Sequence, residues 1–408
     1  MRKLNPFQWQ GSSKIYSLPW LKNRIEYSSD PERIAAYAKT PFTRSRFVMA
    51  MITQFHLSRN SIVVSEDDHA MWLKRVARPH MPTDEAVPLM AVDLMERLFR
   101  PGEPGQDEQS IQLFDRLIPE LYRTLLNNLL EVEILKPLDD YISRTKFPHG
   151  SRPLVLEGLM YSLRLHLPFL RPIRWFFDRL FFKRVLYMKR VSNKLDQMVF
   201  DFTIPKPNSW FSTLKELRAS GKITRAQFRG EITSMLVSSF SLSSAVGSAL
   251  LCLAARPRYQ QKIHDDPAFA RYFVMEVLRL YPPFRQFGYE QTAANGGEHL
   301  SGSFATEFMI PVVELHRNSS IWKDPDKFYP ERFLDPDVSK GFKYMPFGMG
   351  KRSCPGRNLS MSLITQSLRF VCSDESRIKL VKSNAMPRGG NGRLVSFVLN
   401  DTITYRAG

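Results

Sequence analysis

Apolar residues along this chain recur mostly every three or four positions, the spacing that turns one face of a helix toward a core. Residues 69–78, 84–99 and 107–130 carry that period. So do a long stretch at 225–255, which stops at Arg256-Pro257, and another at 269–280, which stops at Tyr281-Pro282-Pro283. Extended runs are short. Ile15-Tyr16-Ser17-Leu18 and Arg24-Ile25-Glu26-Tyr27, parted by the polar Lys22-Asn23, predict a hairpin, and Asp30-Pro31-Glu32 then predicts a helix start by N-cap and N1 proline. Further short strands follow Pro283, and a strand-rich stretch spans 378–405 with a turn at Gly389-Gly390-Asn391-Gly392. Residues 1–14 show no pattern. The predicted class is mainly α with small β-sheets.

Two segments read either way at this level. The loop at 45–66 holds Phe47, Met49, Met51, Ile52 and Phe55, which fit a core or an adaptable apolar pocket. Residues 160–198 are dense in aromatic and basic side chains, including Phe169, Trp175, Phe176, Phe177, Phe181 and Phe182, which suit core-facing helices or a lid resting on a lipophilic surface.

Composition narrows the class further. With 408 residues and 43% hydrophobic content, and with no linker, repeat or low-complexity tract, the chain reads as one large domain over 1–408. Three cysteines, Cys252, Cys354 and Cys372, make no disulfide framework and fit a reducing cytoplasm. No secretory signal pattern opens the chain, and no unbroken apolar run reaches the ~18 residues of a membrane span, so a soluble protein is expected. The net charge of +18 comes without a basic motif interleaved with stacking aromatics, which argues against nucleic acid as partner. Gly348-Met349-Gly350-Lys351 mimics a phosphate loop, but Arg352 stands where a Ser or Thr must follow the lysine.

The chemistry concentrates in Phe347-Gly348-Met349-Gly350-Lys351-Arg352-Ser353-Cys354-Pro355-Gly356. A cysteine beside a cation and at a helix start has the environment of a metal-binding thiolate, and two glycines let the backbone pass close to a flat group. A buried structural cysteine in a Gly-rich loop would show the same composition. The spacing separates the two, because it resembles the haem-ligand signature of the cytochrome P450 family, Phe-x-x-Gly-x-Arg-x-Cys-x-Gly, at every fixed position. Upstream, Glu276-Val277-Leu278-Arg279 is similar to the family's Glu-x-x-Arg helix and Tyr329-Pro330-Glu331-Arg332-Phe333 to its Pro-Glu-Arg-Phe segment, all in family order.

That resemblance implies a haem-thiolate fold and haem b (iron protoporphyrin IX), with Cys354 as proximal iron ligand and Phe347 and Arg352 against the cofactor. It also implies a buried Glu276–Arg279–Arg332 cluster with a structural role. The soluble bacterial-type members are the nearest in kind, with little or nothing of a membrane anchor, while peripheral contact with a membrane surface stays compatible. Where the family shows His-x-x-x-Arg for a haem propionate, this chain has His69 followed by Leu73, with Lys74 and Arg75 beside it. Where an arginine usually follows the Pro-Pro pair, this chain has Tyr289, with Arg285 slightly earlier.

The long helix departs most from the family. Monooxygenases there carry Ala-Gly-x-(Asp/Glu)-Thr, whose small residues make room for dioxygen and whose acid and alcohol relay protons. Counting back from Arg256-Pro257 places Val237-Ser238-Ser239-Phe240-Ser241 at that site, so Phe240 replaces the acid and Ser241 the threonine. No carboxylate occurs from Ile232 to Ala255, and the Arg-Pro pair of peroxide-using members is also missing. The resemblance thus implies a monooxygenase of a lipophilic small molecule with substrate-assisted proton delivery. Its alternatives are a peroxygenase, a haem-dependent isomerase or dehydratase, and a non-catalytic haem-binding partner protein. Lys74, Arg75, Arg78, Lys340, Lys343, Lys351 and Arg357 fall in segments that the family places near the thiolate, where a basic face would steer an acidic ferredoxin, flavodoxin or carrier domain.

Overall fold

The computed structural model describes residues 14–18, 23–40, 42–44, 67–100, 108–146, 183–291, 305–383 and 402–407. The loop at 45–66, the aromatic run before residue 183 and the glycine turn at 389–392 lie outside them. A hairpin, β1 (Lys14–Leu18) and β2 (Asn23–Tyr27), leads to α1 (Pro31–Ala38), which Asp30 caps by accepting the Glu32 amide at 2.9 Å. Then come β3 (Phe42–Arg44), α2 (Asp67–Ala77), α3 (Ala86–Leu98), β4 (Gln109–Gln112), α4 (Leu113–Asn128), β5 (Val132–Ile134), α5 (Lys136–Arg144) and α6 (Lys183–Asp201). The second half holds β6 (Thr203–Pro205), α7 (Trp210–Ala219), α8 (Arg225–Ala254), α9 (Pro257–Asp265), α10 (Phe269–Leu280), β7 (Gln286–Gln291), β8 (Ala305–Pro311), α11 (Val312–Leu315), α12 (Arg357–Cys372), β9 (Ile378–Ser383) and β10 (Thr402–Ala407). Helices dominate and the sheets are small.

Residues 107–130, expected as one helix, begin instead with β4. Only Ile111 of that strand is buried, and its partner β10 lies far along the chain, so no local period announces it. Five strands form one sheet in the order β1-β2-β8-β7-β3, with β2 and β8 parallel and every other pair antiparallel.

The helical core assembles around α8, which packs against α4, α6, α10 and α12. A capping box starts it: Thr224 Oγ1 accepts the Gln227 amide at 3.2 Å, and Gln227 Oε1 accepts the Thr224 amide at 2.7 Å. The most apolar 18-residue stretch of α8 averages 1.7 in hydropathy, sufficient by length and composition to cross a membrane, yet 78% of it is buried within the protein. Serines interrupt the apolar run, which is why the sequence alone undercounts it; burial identifies α8 as a core helix. A second apolar cluster joins Ile34 and Tyr37 of α1 to Tyr289, Phe308 and Ile310 of the sheet and to Met345 and Met349. It seats the cysteine loop on the sheet.

Candidate active site

The cysteine loop is a backbone construction held at both ends. The Gly348 amide donates to Met345 O at 3.3 Å and the Cys354 amide to Phe347 O at 2.9 Å, closing the turn on itself. Gly348 and Gly350 both adopt positive φ, +74° and +55°. A Cβ at Gly350 would stand 2.9 Å from Phe42 Cζ, and one at Gly348 3.0 Å from Tyr289 Oη. The two glycines therefore serve turn geometry and close packing on β3 and β7.

From outside, Lys74 Nζ of α2 donates to Lys351 O at 2.7 Å and to Ser353 O at 3.1 Å. From beneath, Tyr289 Oη accepts the Met349 amide at 3.1 Å. Between these clamps the Cys354 thiol stands exposed, just before α12, while Cys252 is buried and Cys372 partly so. Burial pushes the thiols of Cys252 and Cys372 up to about 12, which leaves them protonated and poor ligands. Among the described residues no group of three or more His, Cys, Asp or Glu gathers to hold a bare metal ion. A lone presented thiol fits a metal that brings its other ligands with it, as haem iron does.

The Glu276–Arg279–Arg332 cluster forms as the shared helix face of α10 requires. Glu276 and Arg279 are fully buried; Arg279 Nε donates to Glu276 Oε2 at 2.7 Å and Nη2 to Oε1 at 2.8 Å. The other guanidinium hydrogens reach main-chain carbonyls, Nη1 to His316 O at 2.7 Å and Pro325 O at 2.6 Å and Nη2 to Lys327 O at 3.2 Å. All five donors are satisfied, the condition for a tolerable buried charge. Arg332 Nε closes on Glu276 Oε2 at 3.2 Å, and the Tyr329 amide on Oε1 at 2.8 Å.

Along α8 every residue from Gly230 to Ala254 is buried apart from Val237, Ser238, Phe240 and Ser241. Spaced one, three and four apart, these form a single stripe, as expected where a core helix lines a chamber. The register counted from Arg256-Pro257 lands on that stripe. Ser241 Oγ donates to Ser238 O at 3.0 Å, and the stripe carries no carboxylate. The one acid of α8, Glu231, lies about 15 Å from Ser241 along the axis, too far for direct transfer. A second acid reaches α8 from α6: buried Asp196 accepts Thr233 Oγ1 at 2.8 Å, and burial raises its carboxyl to about 6.

Of the side chains read as propionate partners, Arg352 is buried beside β3, with Nη2 3.5 Å from Thr43 Oγ1. His69, on α2, faces the start of α8, where its Nε2 accepts Gln227 Nε2 at 2.9 Å. Arg75 is exposed on α2, the Lys74 ammonium is bound to the loop carbonyls, and the Tyr289 hydroxyl is an anchor for Met349. Phe347 is half-buried against the main core with the Arg357 guanidinium 5.9 Å from its ring centre. These contacts thus join Tyr289 and Lys74 to the cysteine loop.

A family model described as Cytochrome P450 matches residues 268–369, from α10 through the cysteine loop and α12. Cytochrome P450 3A15 of Cavia porcellus is 35% identical over 172 residues, 34% of this chain and 33% of that protein. Cytochrome P450 4B1 of Rattus norvegicus is 31% identical over 203 residues, 42% of this chain and 39% of its own length. The alignments thus span between a third and two fifths of these curated relatives. In structure, CYP175A1 from Thermus thermophilus superposes with a TM-score of 0.66 at 18% identity, covering 97% of this chain and 91% of that one. A 6-coordinated cytochrome P450 from another strain of the same species gives 0.65 at 17% identity, covering 96% and 94%. At such identities the superpositions speak for the fold.

Proposed function

We propose that this chain, which belongs to the cytochrome P450 family, is a haem-thiolate monooxygenase acting on an apolar or amphipathic small molecule, with Cys354 as the iron ligand. The observation that carries this reading is the single exposed thiol on a loop fixed from three sides. When bound, haem b with a thiolate ligand supplies oxygen activation driven by delivered electrons. The protein's own residues do the rest. The closed turn and its clamps hold the Cys354 sulfur in one position, and Arg352 offers a buried cation for a propionate. Val237, Ser238 and Phe240 form a wall against which an apolar substrate packs, and Ser241 holds or passes a proton there.

Electron delivery needs a docking partner. Arg75, Arg78, Lys343, Lys351 and Arg357 are exposed near the cysteine loop, and a cleft of about 310 Å³ beside Gly348 and Gly350 is edged by Arg271 and Arg357. Such a face suits an acidic ferredoxin, flavodoxin or carrier domain. A peroxide-driven reaction is the second reading, favoured by the lack of a carboxylate on the α8 stripe. Two measurements separate the possibilities. Cys354→Ala is expected to abolish the thiolate-type absorption band of the reduced, carbon-monoxide-bound protein; its persistence overturns the ligand assignment. Turnover with reduced ferredoxin and oxygen, but not with peroxide alone, supports the monooxygenase; the reverse result replaces it with the peroxygenase.

A further inference from the structure

His316 is fully buried and uses both ring nitrogens on main-chain atoms. Its Nε2 is 2.9 Å from the Met345 amide, which can only donate, so Nε2 accepts and the ring proton sits on Nδ1. Nδ1 in turn lies 3.1 Å from Arg279 O, which can only accept. The neutral tautomer is therefore defined from both sides, and burial pushes the imidazolium pKa down to about 3. Arg279 Nη1 donates back to His316 O at 2.7 Å, so side chain and main chain of the two residues grip each other reciprocally. The His316 ring also stacks on Tyr344, centres 5.3 Å apart at 22°, and Tyr344 Oη donates to Met275 O of α10 at 3.0 Å. Residues 344 and 345 are thereby tied to α10 twice, and Met345 O is the acceptor from which the cysteine turn begins.

We propose that His316 is a positioning residue for the Cys354 sulfur: a permanently neutral strut that transmits the rigidity of the buried Glu276–Arg279 pair into the entrance of the cysteine loop. It acts through Met345 and the turn that ends in the Cys354 amide, and it touches neither substrate nor cofactor. The inference rests on Cys354 being the thiolate ligand, as proposed above. A cation at this site would lose the bond to the Met345 amide, so the strut works only as neutral imidazole. The depressed pKa keeps it so across the physiological range.

Three variants of the haem-loaded protein test this, beside the parent. His316→Gln keeps an acceptor within reach of the Met345 amide; His316→Asn keeps a donor for Arg279 O only; His316→Phe keeps the ring and neither bond. Amide exchange at Met345 and Cys354 is expected to quicken about tenfold in the Asn and Phe variants, the size of one lost hydrogen bond, and to stay near the parent in the Gln variant. At equal haem content, the thiolate-type band is expected to decay faster and at a less acid pH in the same two variants. Parent-like exchange at Met345 and an unchanged band in His316→Asn would overturn the proposal even if the melting temperature fell. Should His316→Phe take up no haem, the Gln and Asn pair decides alone. A parent protein lacking the thiolate band would strike the ligand assignment, whereas the exchange data bear on the strut independently.

Discussion

Replacing Glu276 by Gln probes how far the buried cluster sustains the fold beneath the cysteine loop. Both carboxylate oxygens are fully buried and together accept Arg279 Nε at 2.7 Å, Arg279 Nη2 at 2.8 Å, Arg332 Nε at 3.2 Å and the Tyr329 amide at 2.8 Å. Glutamine preserves the shape and one oxygen, but its amide hydrogens face donors where the second oxygen stood. Two guanidiniums then share no counter-charge, one wholly buried and the other with a side chain 6% exposed. Breaking such a pair from one side costs ~3–5 kcal/mol, and the added donor–donor contact pushes toward the upper end. Against a total stability of roughly 5–15 kcal/mol, that loss moves the unfolding midpoint well outside experimental scatter. The assay is equilibrium urea unfolding of the haem-loaded protein, followed by tryptophan fluorescence and by haem absorbance. Haem release is expected to shift together with unfolding. A midpoint within ~1 kcal/mol of the parent, with haem kept and turnover lost, would refute the structural role and make Glu276 a participant in the chemistry.

The remaining expectations concern proton supply, pH and loop geometry. Ser241→Ala is expected to lower product formed per reducing equivalent with a substrate stripped of polar groups, whereas Phe240→Asp should fold and alter the same ratio; unchanged coupling in Ser241→Ala would remove Ser241 from proton delivery. Asp196 binds its proton more tightly when folded, since its pKa rises from 3.8 to about 6, so its contribution is present below pH 4 and is lost as pH climbs through 6. That amounts to ~3 kcal/mol between the two limits, and the stability difference between parent and Asp196→Asn, measured by urea unfolding at pH 4.5 and 7.5, should grow in favour of Asn at the higher pH. Gly350→Ala combines a positive φ with a 2.9 Å approach to Phe42 and is expected to destabilise by ~1–3 kcal/mol, with Phe42→Leu in the same chain recovering only the steric part.

Much of this was legible because its signals are local. The N-cap at Asp30, the Arg256-Pro257 stop after α8 and the proline stop after Leu280 act within four residues. Apart from the stretch that hides β4, the predicted helices begin and end within a residue or two of the observed ones. The cluster partners of Glu276 followed from motif spacing. What stayed hidden depends on contacts between distant parts of the chain. Nothing around residue 109 foretells a strand whose partner begins at Thr402. Asp196 gains its raised pKa from burial where α6 packs on α8, against the opposing pull of its Thr233 hydrogen bond and the Arg229 charge. His316 looks like an ordinary loop histidine until Arg279 and Met345 close around it. The role of Lys74 stayed hidden because charge alone cannot say that its ammonium reaches the carbonyls of Lys351 and Ser353.

These clamps on the cysteine loop grip main-chain atoms: Lys74 holds two carbonyl oxygens, Tyr289 and His316 each hold an amide, and the turn holds itself through Phe347 O. The ten-residue signature is thus a peptide whose shape is written largely elsewhere, on α2, β7 and the segment after α11. Grafting the decapeptide onto a foreign scaffold would carry over the sulfur without its geometry. A designer seeking to transplant this ligand would instead have to copy one ammonium, one phenol and one imidazole, and could then vary Lys351 and Ser353 with little consequence.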